Sequence, residues 1–126
     1  MFKFKKDQIV YDIAGVKVGG NVGENPTVMI GSIFYKGDKN VQDDKTGTFD
    51  RKNEEELVAK LEEISDKTGL PAMLDVVCSS QENAEKYLEF AADVTRMPIL
   101  IDSVSEDAAL GGMDCAKKLG IIERTL

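Results

Sequence analysis

The chain has 126 residues, enough for one domain or part of one. It is 42% hydrophobic and 31% charged, and its formal net charge of -7 disfavours DNA, RNA or anionic lipid as partners. It has no histidine, which excludes a Ser-His-Asp triad and most zinc enzymes within the chain.

Residues 8–18 come first, with Ile9, Tyr11 and Ile13 on one face and Val16 and Val18 after Ala14-Gly15. This alternation predicts a short β-hairpin. The glycines at 15, 19, 20 and 23 read as loop, because a dinucleotide fingerprint would have to leave a strand and open a helix. A strand is predicted over 27–35, followed by a polar stretch from Lys36 to Asp50, a length typical of functional or mobile loops. In that stretch Asn40, Asp43, Asp44 and Lys45 read as solvated. Asp50 is the expected N-cap of a first helix, Leu57, Leu61 and Ile64 its apolar stripe, Glu54 to Glu56 part of its solvated face, and Gly69-Leu70-Pro71 its stop.

A second strand is predicted over 72–78, then a helix capped by Ser79 or Ser80 with Ala84, Tyr87, Leu88, Ala91 and Val94 on its buried face. A third strand is expected over 99–104, followed by a helix that opens at Ser105 and is buried through Ala109, Met113 and Ala116. Gly111-Gly112 weakens its middle. Residues 121–126 read as the opening of a fourth strand. The fold class is therefore α/β, with a hairpin and then about four parallel strands and three helices. It matches the N-terminal part of a (β/α)8 TIM barrel, with an open doubly wound sheet as the rival.

Asp75 lies within an apolar strand and Asp102 at the end of the next. A carboxylate in an apolar strand is costly unless it is paired or faces a ligand. Such a pair suits a ligand with a guanidine-like edge, two parallel N–H donors meeting one carboxylate, as on a pterin ring. A carboxylate pair also serves acid catalysis on sugars, so the pair alone decides nothing. Ser103 and Ser105 flank the following turn as caps or as part of a site. Cys78 and Cys115 read as buried, reduced thiols. No metal site is expected, no membrane span is apparent, and the cytoplasm is the default location.

The runs Phe2-Lys3-Phe4, Asp12-Ile13-Ala14-Gly15-Val16-Lys17, Gly31-Ser32-Ile33-Phe34-Tyr35 and Leu100-Ile101-Asp102-Ser103-Val104-Ser105 carry a family resemblance. The chain resembles the N-terminal region of the MtrH family, the H subunits of tetrahydromethanopterin S-methyltransferase, which includes bacterial relatives using tetrahydrofolate. It is similar more distantly to pterin-binding methyltransferases and dihydropteroate synthases. The resemblance implies that 1–126 is the N-terminal portion of a pterin-binding (β/α)8 methyltransferase domain. The implied activity, part of one-carbon metabolism and methanogenesis, moves a methyl group between tetrahydropterin N5 and the cobalamin or other corrinoid of a partner protein.

The resemblance further implies that the pterin, tetrahydrofolate or tetrahydromethanopterin, sits at the C-terminal mouth. Asp75 matches the ring-holding aspartate and Asp102 the first residue of an Asp-Ser-Thr-Asn pattern. Ser105 stands in place of the asparagine, as in the MtrH proteins themselves. The cofactor-binding set is thus Asp75, Asp102, Ser103 and Ser105, with no catalytic residue assigned. A homodimer or larger methyltransferase complex is expected. The competing expectations are a non-catalytic half-barrel acting as an interaction or assembly piece, and a dihydropteroate-synthase-like enzyme.

Overall fold

A computed structural model describes residues 3–126, so Phe2 of the first resemblance run lies outside it. The N-terminal hairpin is β1 (Val10–Ile13) and β2 (Val16–Gly19), paired antiparallel. Its turn is Ala14-Gly15, both at positive φ, and the Gly15 amide donates to Asp12 Oδ1 at 2.8 Å. Burial is confined to the turn end. Ile13 and Val16 are buried, while Ile9 and Tyr11 are exposed, because only the turn end reaches the sheet.

Three parallel strands follow in spatial order β3 (Met29–Ile33), β6 (Ala72–Val77), β7 (Ile99–Asp102). Each is followed by a helix: α1 (Arg51–Thr68), α2 (Gln81–Val94) and α3 (Glu106–Lys118). Between β3 and α1 lies a small ribbon, β4 (Val41–Asp43) and β5 (Thr48–Phe49), so the polar stretch is a folded element. Neighbouring strands are consecutive in the chain, as in a sector of a (β/α)8 barrel, and no closed barrel forms among the described residues.

Local chemistry explains the element ends. Asp50 caps α1 through the Asn53 amide at 3.1 Å, and Gly69 ends it at φ 71°. Ser80 caps α2 in a capping box closed by Asn83, and Ser105 caps α3 through the Ala108 amide at 3.3 Å. The fourth strand starts later than expected. Ile122–Arg124 form a 3-10 turn, and only Thr125 and Leu126 pair beside β7, the Leu126 amide reaching Ile99 O at 2.9 Å. Arg124 holds that turn by donating to Met97 O at 2.8 Å and Ala92 O at 3.4 Å.

The core sits between the sheet and its helices. Leu74, Val76 and Ile99 meet Val58, Ala84, Leu88 and Ala91 there, all buried. On the opposite face Ile13 and Val16 cover Met73, with Val28 and Leu100 partly buried around them. The hairpin therefore covers the N-terminal end of the sheet's inner face.

Two helical faces differ from their periodicity. On α1, Leu57 is 48% exposed and Ile64 40%, while Glu54 and Val58 are buried. Nothing covers the free edge of β3, so Leu57 overhangs an apolar groove lined by Gly31, Ile33, Tyr35 and Leu61. On α3 the buried residues are Ala108, Gly111, Gly112, Cys115 and Ala116, and Ala109 and Met113 are only half-buried. The two glycines weaken the helix in isolation but allow the approach. A Cβ at Gly112 would lie 3.1 Å from Ile101 Cγ2 and 3.3 Å from Leu88 Cδ1.

Candidate functional site

In a parallel sheet, residues in register share a face. Ser32 is in register with Asp75, Asp75 with Leu100, and Val77 with Asp102, so all of them face away from the helices. Asp75 is half-buried, and its Oδ2 accepts the Ser32 hydroxyl at 2.7 Å. That bond satisfies one oxygen and leaves the second carboxylate edge facing the open inner surface. Asp102 lies two residues beyond the level of Asp75, a rise of about 7 Å. Its carboxylate is exposed and has no hydrogen-bond partner among the described residues.

A cleft of about 610 Å3 opens at the C-terminal end of the strands. Val77, Cys78 and Ser79 line it from the β6–α2 turn, and Asp102, Ser103 and Val104 line it from β7 and the turn after it. Phe34 to Asp38, Val41 and Asp44 form the remaining wall. Of the sequence-derived residues, Asp102 and Ser103 line this cleft. Asp75 lies deeper on the inner face. Ser105 accepts from Ala108 N, and its own amide donates to Ser103 Oγ at 3.0 Å, so it shapes the turn beneath the cleft. Among the described residues no three His, Cys, Asp or Glu side chains converge as metal ligands.

The β4–β5 ribbon is held against the cleft by residues that sequence reading passed over. Asp44, expected to be solvated, accepts from Ser79 Oγ at 2.7 Å and Tyr87 OH at 3.2 Å. Asn83 is fully buried: its Oδ1 accepts the Ser79 and Ser80 amides at 3.1 Å, and its Nδ2 donates to Asp44 O at 2.9 Å and Ser79 Oγ at 2.8 Å. Gly47 at φ 71° fits here because a Cβ would meet Asn83 Cα at 3.2 Å. The spacing of Ser80 and Asn83 signals a cap, but nothing local points to Asp44 as its partner.

Phe34 ends β3 at φ 62°, unusual for a bulky residue. Its amide donates to Asp38 Oδ2 at 2.9 Å, and its ring stacks on Tyr87 with centroids 3.9 Å apart and meets Phe49 edge-on at 4.7 Å. This aromatic packing offsets a backbone strain of about 1 kcal/mol or more.

Glu54 corrects the expectation of a solvated helix face. It is fully buried, and neither carboxyl oxygen has a hydrogen-bond partner among the described residues. The face of α1 that meets the core begins at this residue, one turn before Val58, so it is drawn in with the helix. Burial first, and then the neighbouring Asp38, push its pKa up to about 8. Cys78 is buried as expected. Burial and the nearby Asp102, Asp44 and Asp75 carboxylates push its thiol up to about 12, an unreactive state.

This fold and cleft agree with comparisons to known proteins. The family model for the tetrahydromethanopterin S-methyltransferase MtrH subunit matches residues 6–126. The chain belongs to that family. It is 45% identical over 126 residues to the tetrahydromethanopterin S-methyltransferase H subunit of Methanothermobacter thermautotrophicus, covering all of the chain and 41% of the relative. The corresponding H subunit of Methanopyrus kandleri is 44% identical over 121 residues, 96% of the chain and 38% of the relative. The H subunit of a putative methyltransferase, mtx, of Methanosarcina mazei is 40% identical, again over the whole chain and 41% of its own length. The chain thus spans about two fifths of these curated relatives. Among the described residues, no helix is long and apolar enough to cross a membrane.

Proposed function

We propose that the chain is the N-terminal portion of a pterin-binding (β/α)8 methyltransferase, and that its inner face and cleft form part of the pterin site. The reaction is transfer of a methyl group between a tetrahydropterin N5, of tetrahydrofolate or tetrahydromethanopterin, and a corrinoid protein. The observation that carries this reading is the placement of Asp75 and Asp102 on one sheet face, at successive levels, beside a cleft of about 610 Å3. That volume lies in the usual range for small-molecule sites. Family membership supports the choice of chemistry.

The donor set fits a pterin. With Ser32 satisfying Oδ2 from one side, Asp75 keeps acceptor capacity for two parallel N–H groups. Asp102, without a partner among the described residues, offers a second acceptor nearer the mouth. Val77 and Val104 supply apolar surface for the ring, and Ser103 and Ser105 fix the turn that carries Asp102. The corrinoid of the partner protein supplies the cobalt to which the methyl group is passed or from which it is taken. This chain's residues bind and orient the pterin; none is assigned as the acid that assists departure from N5.

The test is calorimetric titration of the chain with methyl-tetrahydrofolate and, in parallel, methyl-tetrahydromethanopterin. Binding of either should weaken at least tenfold in Asp75→Asn while the far-ultraviolet circular dichroism is unchanged. Equal affinity in a folded Asp75→Asn variant removes the assignment. A second reading, an assembly piece completed by other strands, is favoured by Ile30, which is 56% exposed on the inner face of the edge strand. Association that depends on concentration, without pterin binding, is its signature.

A further inference from the structure

Glu54 is a carboxyl group with no exposure and no hydrogen-bond partner among the described residues, directly behind one wall of the cleft. The groups acting on it are Asp38 from the wall, Asp50 at the helix cap and the neutral Asn40 side chain. The cations nearby in sequence are directed elsewhere. Arg51 pairs with Glu55 and Asp93, and Lys36 is exposed along the cleft. From α2, the Tyr87 hydroxyl is committed to Asp44. A negative charge on Glu54 would therefore face two carboxylates with no compensating cation.

Asp38 is the joint through which that charge would act. Its Oδ2 accepts the Phe34 amide and its Oδ1 the Asn40 amide, each at 2.9 Å, and its own amide donates to Tyr35 O at 2.9 Å. These bonds close the turn 34–38, which contributes five consecutive residues to the cleft wall. Phe34 within it is held at φ 62°, a conformation it would leave if the Asp38 bond weakened.

We propose that the Asp38–Glu54 carboxyl pair is a pH-operated latch on the cleft wall, closed while Glu54 holds a proton and open once that proton is lost. Repulsion between the two carboxylates then loosens the Phe34 amide bond, and residues 34–38 relax away from the cleft. The raised Glu54 pKa, about 8 in the closed state against 4.5 for a solvated carboxyl, sets the direction of the effect. Opening becomes more favourable as pH rises between those values and levels off above the upper one. The device is independent of the ligand, so its failure leaves the methyltransferase reading untouched.

The experiment uses the 126-residue chain, labelled for nuclear magnetic resonance. The Glu54 carboxyl carbon should titrate near pH 8 rather than near 4.5. Hydrogen-exchange protection of the Phe34 and Asn40 amides, corrected for intrinsic exchange, should fall up to about tenfold per pH unit over that interval and then level. Protection at Leu74 and Val76 in the central strand should not follow. In Glu54→Gln the fall at Phe34 and Asn40 should vanish. A Glu54 carbon titrating near 4.5, a flat protection profile, or the same fall in Glu54→Gln each overturns the latch. Should Glu54→Gln fail to fold, the carboxyl titration and protection profile of the unsubstituted chain decide.

Discussion

Replacing Asn83 with alanine tests whether the ribbon is held to the cleft by one buried amide. Asn83 is fully buried and joins three pieces of chain: the Ser79 and Ser80 amides, the Ser79 hydroxyl and the backbone of Asp44. Losing the cap costs about 1 kcal/mol. Leaving the Asp44 carbonyl and the two serine amides poorly satisfied costs about 1 kcal/mol each, less where water reaches them. The expected loss is about 3 kcal/mol, a fall of roughly 10 °C in Tm. Urea unfolding followed by circular dichroism should show a lower midpoint at an unchanged slope.

The double variant with Asp44→Ala separates the latch from the cap. Because the amide also approaches Asp44 Oδ1 at 3.2 Å, the two changes should be less than additive by about 1 kcal/mol. Asn83→Asp should keep the amide acceptor yet set two carboxylates together, and Asp44→Asn should relieve it. A loss below about 1 kcal/mol for Asn83→Ala, together with strict additivity, would refute this account.

Three further outcomes follow from packing and charge. Glu54 holds its proton more tightly when folded, so its stabilising effect is present at pH 4 and is lost as pH rises through about 8. Glu54→Gln should therefore flatten the dependence and be the more stable form at pH 9 by up to about 5 kcal/mol, measured by urea titration at several pH values. Gly112→Val should destabilise by about 2 kcal/mol because its branches meet Ile101 and Leu88. Gly111→Ala should be neutral or gain up to about 1 kcal/mol, since the side chain it meets is the exposed, flexible Gln81. Cys78 should resist iodoacetamide at pH 8 in the folded chain and react at the rate of a free thiol in urea; labelling at that rate without urea would contradict its burial.

Sequence alone determined what is set within a few residues of each position. The caps at Asp50, Ser80 and Ser105, the stop at Gly69 and the three apolar strands were legible because their hydrogen bonds and periodicities are local. The alternation of those strands with helices also carried the parallel sheet and the placement of Asp75 and Asp102. Tertiary structure decided the rest. Asp44 meets Ser79 and Tyr87 across 35 and 43 residues of chain, a pairing no local pattern announces. Glu54 looked like one more acidic residue on a solvated helix face. The way α1 lies on the sheet turned that position inward and left Leu57 over an uncovered edge. Helical periodicity defines a face, but which residues of it are buried depends on the neighbours it finds, and those neighbours come from distant parts of the chain.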